Sequence, residues 1–401
     1  MHCVRKILDN LFYVGSSDKR LERFENLFPI ADGVSYNSYL FTDEKTCLLD
    51  TVDTSVSRQF LENVSFALNG RKLDYLVVHH MEPDHCANIE EIILRHPEVT
   101  VVGNQKTFAF IKQFYPELEL KNTLVVKEGD TLCLGEHTLH FAFTPMVHWP
   151  EVMMSYEEKE GILLSADAFG TFRALDGNLY FDQVNFDRDF LDEARRYYTN
   201  IVGKYGMQVQ MAFKKLAGLN IKMILPLHGP LFRTAESINY IMDKYQHWST
   251  YTPEDKGVII VYGSMYGDNE NAAFILANYL SERGVNNIRV YDASRTDPSV
   301  LVSEGFRVSN IVLVAPTYNN TIYPAIDTYI EDFLRMNLHD RTLTIIQNGS
   351  WAPQALNLIK AKLAKAKFTY TPTEITLHSS VHEGDLKLLS QAADEIKETL
   401  A

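Results

Sequence analysis

Residues His79–Cys86 read HHMEPDHC, directly behind the apolar run LDYLVV (Leu73–Val78) and directly ahead of ANIEEIILR (Ala87–Arg95). The first run is short, unpunctuated and partly β-branched, as a buried strand is. The second has apolar residues at helical spacing and stops at Pro97. Between them, at the polar end of a strand, stand His80, Glu82, Asp84 and His85. In an extended loop alternate side chains share a face, so His80, Glu82 and Asp84 are expected to point into one cavity, with His85 turned in by the loop.

Three more ligand-type residues lie further along, again at the ends of apolar runs: His148 in TPMVHWP, Asp167 in LLSADAFG and His228 in ILPLHGP. Six terminal ligands and one bridge divide between two metal ions. His80, Glu82 and His148 hold one, Asp84, His85 and His228 the other, and Asp167 bridges them. Each ion then keeps an open position. Imidazole and carboxylate without thiolate suit Fe or Mn at least as well as Zn. A pair about 3.5–4 Å apart can grip both atoms of a diatomic or a bridging hydroxide. His79 is read as a packing residue or an outer partner of the ligands, and Cys86 as a small packing residue.

Around this cluster the first 250 residues alternate strand-like segments with a few helices. SYNSYLFTDEKTCLLDT (Ser35–Thr51) reads as a hairpin turning at Thr42–Glu44. TVVGN, TLVVKEGDTLCLG, HTLHFAFTPMVH, GILLSAD and IKMILPLHG supply further strands. The polar, proline-bearing stretch around His247–Asp255 reads as a boundary, giving expected domains of 1–250 and 254–401. Beyond it, unbroken β-branched runs alternate with helices, the pattern of a parallel sheet covered on both faces.

A chain of 401 residues suits two domains. Its net charge of -14 argues against nucleic-acid or anionic-membrane binding. The 4 cysteines form no C-x-x-C pair, which argues against a disulfide scaffold, a zinc ribbon or a built-in rubredoxin centre. No apolar segment is long enough to span a membrane. A reducing cytoplasm is the expected compartment.

The ligand string H-x-E-x-D-H, followed by single His, Asp and His ligands, resembles that of the metallo-β-lactamase superfamily with Glu82 at the second histidine. In that form it is similar to the flavodiiron proteins (A-type flavoproteins). The resemblance covers nearly the whole chain and implies an α+β and α/β fold. An N-terminal metallo-β-lactamase-like αββα sandwich is followed by a C-terminal flavodoxin-like doubly wound parallel sheet. It also implies two irons bridged by Asp167 and an oxygen, with no catalytic residue beyond the ligands.

In the C-terminal half, Gly263–Asn269 joins a strand to a helix. Its backbone N–H groups and hydroxyls suit one phosphate. The spacing is not G-x-G-x-x-G, which favours FMN over NAD or FAD. APTYNNTIYP (Ala315–Pro324) and NGSWAPQ (Asn348–Gln354) leave two further strand ends. The expected FMN contacts are Ser264, Met265, Tyr266, Gly267, Asp268, Asn269, Pro316, Thr317, Tyr318, Asn319, Asn348, Gly349, Ser350 and Trp351. Tyr318 and Trp351 are expected to flank the ring. These loops look like the flavodoxin-like domain of flavodiiron proteins. They depart from it at Asp268, a carboxylate beside a phosphate site unless it turns away to cap the helix, and in the less glycine-rich NGSWAP loop.

The resemblance implies an oxidoreductase that reduces O2 to water, NO to N2O, or both. Its electrons come from an external carrier, a rubredoxin or a flavin reductase. It also implies a head-to-tail homodimer, or a tetramer built on one, that brings one subunit's FMN to the other's metals. The ligands do not choose between the two gases. Two rival readings stand beside it: a binuclear zinc hydrolase fused to a flavin-binding module, and a redox carrier or scaffold with a structural metal site.

Overall fold

The computed structural model describes residues 2–400, which form two compact units. The first takes the chain to Tyr198 and again over Met207–Tyr245; the second takes Thr199–Gly206 with the chain from Gln246 onward.

The first unit is a sandwich of two sheets. One has seven strands, in the order Arg5–Leu8, Leu11–Tyr13, Tyr39–Thr42, Thr46–Leu49, Tyr75–Val77, Thr100–Gly103 and Asn122–Val125. It is antiparallel at its start and parallel from Thr46–Leu49 onward. The other has five strands: Thr131–Cys133, Thr138–Phe143, Met153–Glu157, Ile162–Leu164 and Met223–Leu225. Their inner faces share one core, in which Phe41, Leu49, Val77 and Val102 meet Leu139, Phe141, Leu164 and Leu225. Each such side chain contributes about 1.5–3 kcal/mol on burial. Helices Ser57–Leu68 and Gln105–Phe114 lie against the first sheet. Asn104 caps the second of these by accepting from Lys106 N at 2.9 Å and Thr107 N at 3.2 Å.

Two local readings need correction. The hairpin pairs Thr42 with Thr46, so its turn is Asp43–Lys45, one residue later than expected. Ser35 and Tyr36 fall outside it, in the strand Val34–Tyr36 that pairs with Ser16–Asp18. The metal loop is extended only to Glu82 (φ -65, ψ 140), and a helical turn begins at Pro83. Proline pre-sets helical φ at a first position. Alternation therefore joins His80 to Glu82, while the helical turn carries Asp84 and His85 apart from them.

The second unit is a parallel sheet in the order Ile288–Asp292, Asp255–Tyr262, Val308–Tyr318, Arg341–Asn348 and Phe368–Tyr370. That 2-1-3-4-5 order is the flavodoxin-like one, whose ligands bind at the carboxyl ends of the strands. Val258–Val261 and Ile311–Ala315 are fully buried, as strands covered on both faces must be. Helices Asp268–Glu282 and Glu383–Leu400 close one side through Ala272, Leu276, Leu389 and Ile396. Among the described residues no helix is long and apolar enough to cross a membrane.

Candidate functional site

The first unit gathers all seven sequence-derived ligands at the ends of its strands, as two sets. His80, Glu82, His148 and Asp167 form one; Asp84, His85 and His228 form the other. Asp167 touches both. Its Oδ2 lies 3.0 Å from His148 Nε2 and 3.2 Å from His80 Nε2, and its Oδ1 lies 3.0 Å from His85 Nε2 and 3.6 Å from His228 Nε2. Glu82 Oε2 sits 3.0 Å from His148 Nε2 and 3.3 Å from His80 Nε2. Asp84 Oδ2 is 3.4 Å from His85 Nε2 and 3.3 Å from His228 Nε2.

Metal bonds of about 2.0–2.2 Å set ligand–ligand edges of about 3.0–3.4 Å, and the separations here run from 3.0 to 3.6 Å. Hydrogen bonding does not account for the cluster. Both oxygens of Asp84 and Oδ1 of Asp167 are buried without a hydrogen bond. The Nε2 atoms of His85 and His228 face each other at 3.0 Å. Unpaired buried carboxylates are costly, and cations resolve them. The residues therefore fit a pair of metal ions.

Local backbone supports the arrangement. Ala166 and Phe169 around Asp167, and Met146 before His148, hold φ of 50, 69 and 66, a strain typical of functional sites. A Cβ at Gly229 would come 2.0 Å from Thr171 Cγ2 and its φ is +75, so glycine lets the chain turn behind His228. His228 Nδ1 donates to Ser35 O at 2.8 Å, which leaves Nε2 for the cavity. His79 is not in the cluster. It bridges Asp50 Oδ2 at 2.6 Å and Ser155 Oγ at 2.7 Å, while Asp50 Oδ1 accepts its backbone N–H at 2.7 Å.

In the metal-free protein three of the imidazoles and two of the carboxylates favour each other's charged forms. Burial opposes charging His80, His85 and His148, but the adjacent carboxylates overcome it: His80 rises well above its usual range and His85 and His148 rise to about 9. Burial likewise opposes ionising Glu82 and Asp167, yet the facing imidazoles hold both well below the ordinary carboxylate range.

Three residues near this site were not among the sequence-derived candidates. Glu25, an exposed residue on the turn between strands Arg23–Phe24 and Phe28–Pro29, brings its carboxyl to Glu82; partial desolvation of the carboxyl and that neighbour's charge raise it above the ordinary carboxylate range. Tyr197, fully buried, packs on His228 with ring centroids 5.4 Å apart, and its hydroxyl is without a partner. It immediately precedes a π-helical turn, Tyr198–Val202, a feature frequent at functional sites. Glu151 Oε1 accepts from His80 Nδ1 at 2.8 Å and from Met81 N at 2.9 Å. Its signal was available: it stands three residues past His148, and metal-bound histidines commonly donate to a carboxylate.

The second unit has a cavity of about 470 Å³ at the strand ends, within the range of cofactor sites. Every expected contact lines it except Gly267, which instead forms the turn before helix Asp268–Glu282 with φ +98. Asn320 and Ser379 join the lining unforeseen. Asn348 stitches the loops together: its Nδ2 donates to Asn269 Oδ1 and to Ser379 O, both at 2.7 Å, and its Oδ1 accepts Ser379 N at 3.0 Å. Asn269 Nδ2 donates to Gly263 O at 2.8 Å. Thr317 Oγ1 accepts from Gln354 N at 2.8 Å and Ala355 N at 3.2 Å, which leaves its O–H proton and its backbone for a ligand. Asp268 lines the cavity in the first turn of the helix, and Gly267 at the cap donates its N–H to Ser264 Oγ at 3.0 Å. Trp351 and Tyr318 are 82% and 40% exposed, aromatic faces open to a planar ring. A helix N-terminus beside exposed aromatics fits a ring bearing one phosphate.

Comparison with known proteins gives one consistent result. The family model described as "ODP family beta lactamase" matches residues 34–229. An uncharacterized protein of Methanocaldococcus jannaschii is 30% identical over 96% of this chain and 95% of its own length. The anaerobic nitric oxide reductase flavorubredoxin of Klebsiella pneumoniae is 29% identical over 90% of this chain and 75% of its own. Rubredoxin oxygen:oxidoreductase from Desulfovibrio gigas superposes with a TM-score of 0.92 at 27% identity, over 99% of this chain and 98% of that one. The flavodiiron protein from Giardia intestinalis superposes at 0.93 over 100% and 99%, at 24% identity, a likeness of fold.

Proposed function

Because the chain belongs to the flavodiiron protein family of oxidoreductases, we propose that it reduces O2 to water, NO to N2O, or both, with electrons from an external carrier such as a rubredoxin. The first domain (1–250) would hold two irons through His80, Glu82, Asp84, His85, His148, Asp167 and His228. The second (254–401) would hold FMN. The names of its relatives support both gases, one being an oxygen oxidoreductase and another a nitric oxide reductase. The observation that carries the reading is Asp167, whose two oxygens face two separate ligand sets.

When bound, the FMN and the iron pair supply the electrons for reducing the gas. The chain supplies the rest. Three carboxylates offset the charge of the ions, and four imidazoles, two to each set, complete the ligands. Phe24 and Phe172, packed round Tyr197 and His228, make that wall apolar and keep bulk water from it. Water formation consumes protons, and two groups are placed to deliver them. The Glu25 carboxyl lies beside Glu82, and the Tyr197 hydroxyl, without a hydrogen-bond partner among the described residues, lies on the His228 side. The proposed working form is a head-to-tail homodimer, or a tetramer of such dimers, in a reducing cytoplasm where the four cysteines stay free.

The test is anaerobic purification, metal and flavin analysis, and electrode assays of O2 and NO with reduced rubredoxin. Two irons and one FMN per chain, with consumption of at least one gas, is the expected result. A colourless zinc protein that consumes neither gas overturns the proposal in favour of a hydrolase.

A further inference from the structure

The four imidazoles of the metal cluster are not backed alike. His228 Nδ1 donates to a neutral carbonyl, Ser35 O. His85 Nδ1 has no partner among the described residues. Among the described residues, only His80 of the four donates its Nδ1 proton to a carboxylate, Glu151 Oε1, at 2.8 Å. Both side chains are completely buried.

The segment His148–Glu151 wraps His80 from two sides. Trp149 meets its ring edge-on, with centroids 5.2 Å apart, and Glu151 takes its Nδ1 proton. Glu151 is itself pinned. Its Oε1 also accepts Met81 N at 2.9 Å, and its backbone O accepts from Asn104 Nδ2 at 2.5 Å. Its Oε2 is buried with no hydrogen-bond partner among the described residues, so no donor there offsets the negative charge on that oxygen.

A carboxylate behind a ligating histidine raises the ligand's basicity and tightens the metal it holds. In a low-dielectric interior it also disfavours adding an electron at that ion. We propose that Glu151 is a positioning residue that makes the two metal positions unequal. The ion held by His80, Glu82 and His148 is the more tightly bound of the pair and the harder to reduce. This rests on the two-metal reading of the pocket.

The test compares the full-length protein with Glu151→Gln and Glu151→Asp. Glutamine can keep both Oε1 hydrogen bonds but carries no charge; aspartate keeps the charge. Calorimetry of the metal-stripped protein with Mn(II) is expected to resolve two binding steps. In Glu151→Gln the tighter step weakens about 10–100-fold while the weaker step holds, and Glu151→Asp recovers part of the loss. In iron-loaded protein the lower of the two iron reduction steps shifts upward in Glu151→Gln. A purely structural role would move neither readout, because the hydrogen bonds survive.

If Glu151→Gln binds both ions as the unaltered protein does, or loses affinity equally at both steps, the inference is overturned. If Glu151→Gln does not fold, the Asp variant decides: retained separation of the two steps supports the inference and merged steps overturn it. Unaltered protein that binds no pair of divalent ions sinks the two-metal reading itself, a result distinct from either.

Discussion

Asp167 Oδ1 lies 3.0 Å from His85 Nε2, while the other oxygen of the same carboxylate lies 3.0 Å from His148 Nε2. One fully buried side chain thus faces both ligand sets. Changing it to asparagine keeps the shape and removes the charge. Even outer partners of metal ligands are worth about 10–100-fold in affinity or activity, so loss of a shared ligand should exceed that. Asp167→Asn is expected to hold one iron or fewer per chain and to lose gas consumption by more than about 100-fold. Metal analysis and an O2 or NO electrode check both. A variant with two irons and normal rates would remove Asp167 from the bridge.

Asn348 ties three loops of the second unit through hydrogen bonds to Asn269 and Ser379. Each such bond contributes about 1 kcal/mol net, and 1.4 kcal/mol is a tenfold change. Asn348→Ala should therefore weaken FMN by about 10–100-fold without changing iron content. Flavin fluorescence titration of the apoprotein measures this. An unchanged dissociation constant would mean that the loops hold their shape without Asn348.

The candidate cluster was legible because strand-end spacing is local: His80 and Glu82 alternate in an extended segment, and His148, Asp167 and His228 each close an apolar run. The parallel sheet was legible for the same reason, since Val258–Val261 and Ile311–Ala315 are unbroken apolar strings. What the sequence did not show are residues that arrive by tertiary contact. Ser379 reaches the flavin cavity from a strand end far along the chain. Glu25 and Tyr197 approach the candidate ligand cluster from segments with no ligand-like pattern. The turn at Pro83 was misread because proline at a first helical position resembles an extended segment until the following residues close the helix.

The Tyr197 hydroxyl is buried without a hydrogen bond, so removing it should not destabilise the protein. If it hands protons to the reaction, its loss should cost turnover. Tyr197→Phe is expected to keep its melting temperature, two irons and FMN, and to turn over at least about tenfold more slowly, since positioned acids contribute about 10²–10⁴-fold. A variant that turns over at the normal rate leaves Tyr197 as packing for His228 alone.

Metal removal should change how stability responds to pH. In the metal-free protein His85 and His148 are raised from 6.5 to about 9. A folded-state pKa above the unfolded one gives stability that is complete below the unfolded value and lost as pH climbs through the folded one. The metal-free protein should therefore melt at progressively lower temperature between pH 7 and pH 9.5, by the loss of these imidazolium–carboxylate pairs. Glu82 and Asp167 act in the opposite direction: their lowered pKa values give stability above the ordinary carboxylate range that is lost on acidification. Ligand histidines must shed their protons to bind metal, so loading at pH 7 should release protons and tighten as pH rises. Mn(II)-loaded protein, with ions in place of those protons, should then keep its melting temperature over the same alkaline interval. Scanning calorimetry with and without Mn(II), and binding calorimetry in buffers of different ionisation enthalpy, measure the two effects. A metal-free protein whose melting temperature is flat or rising from pH 7 to pH 9.5 would show that the histidines are already neutral when the protein folds.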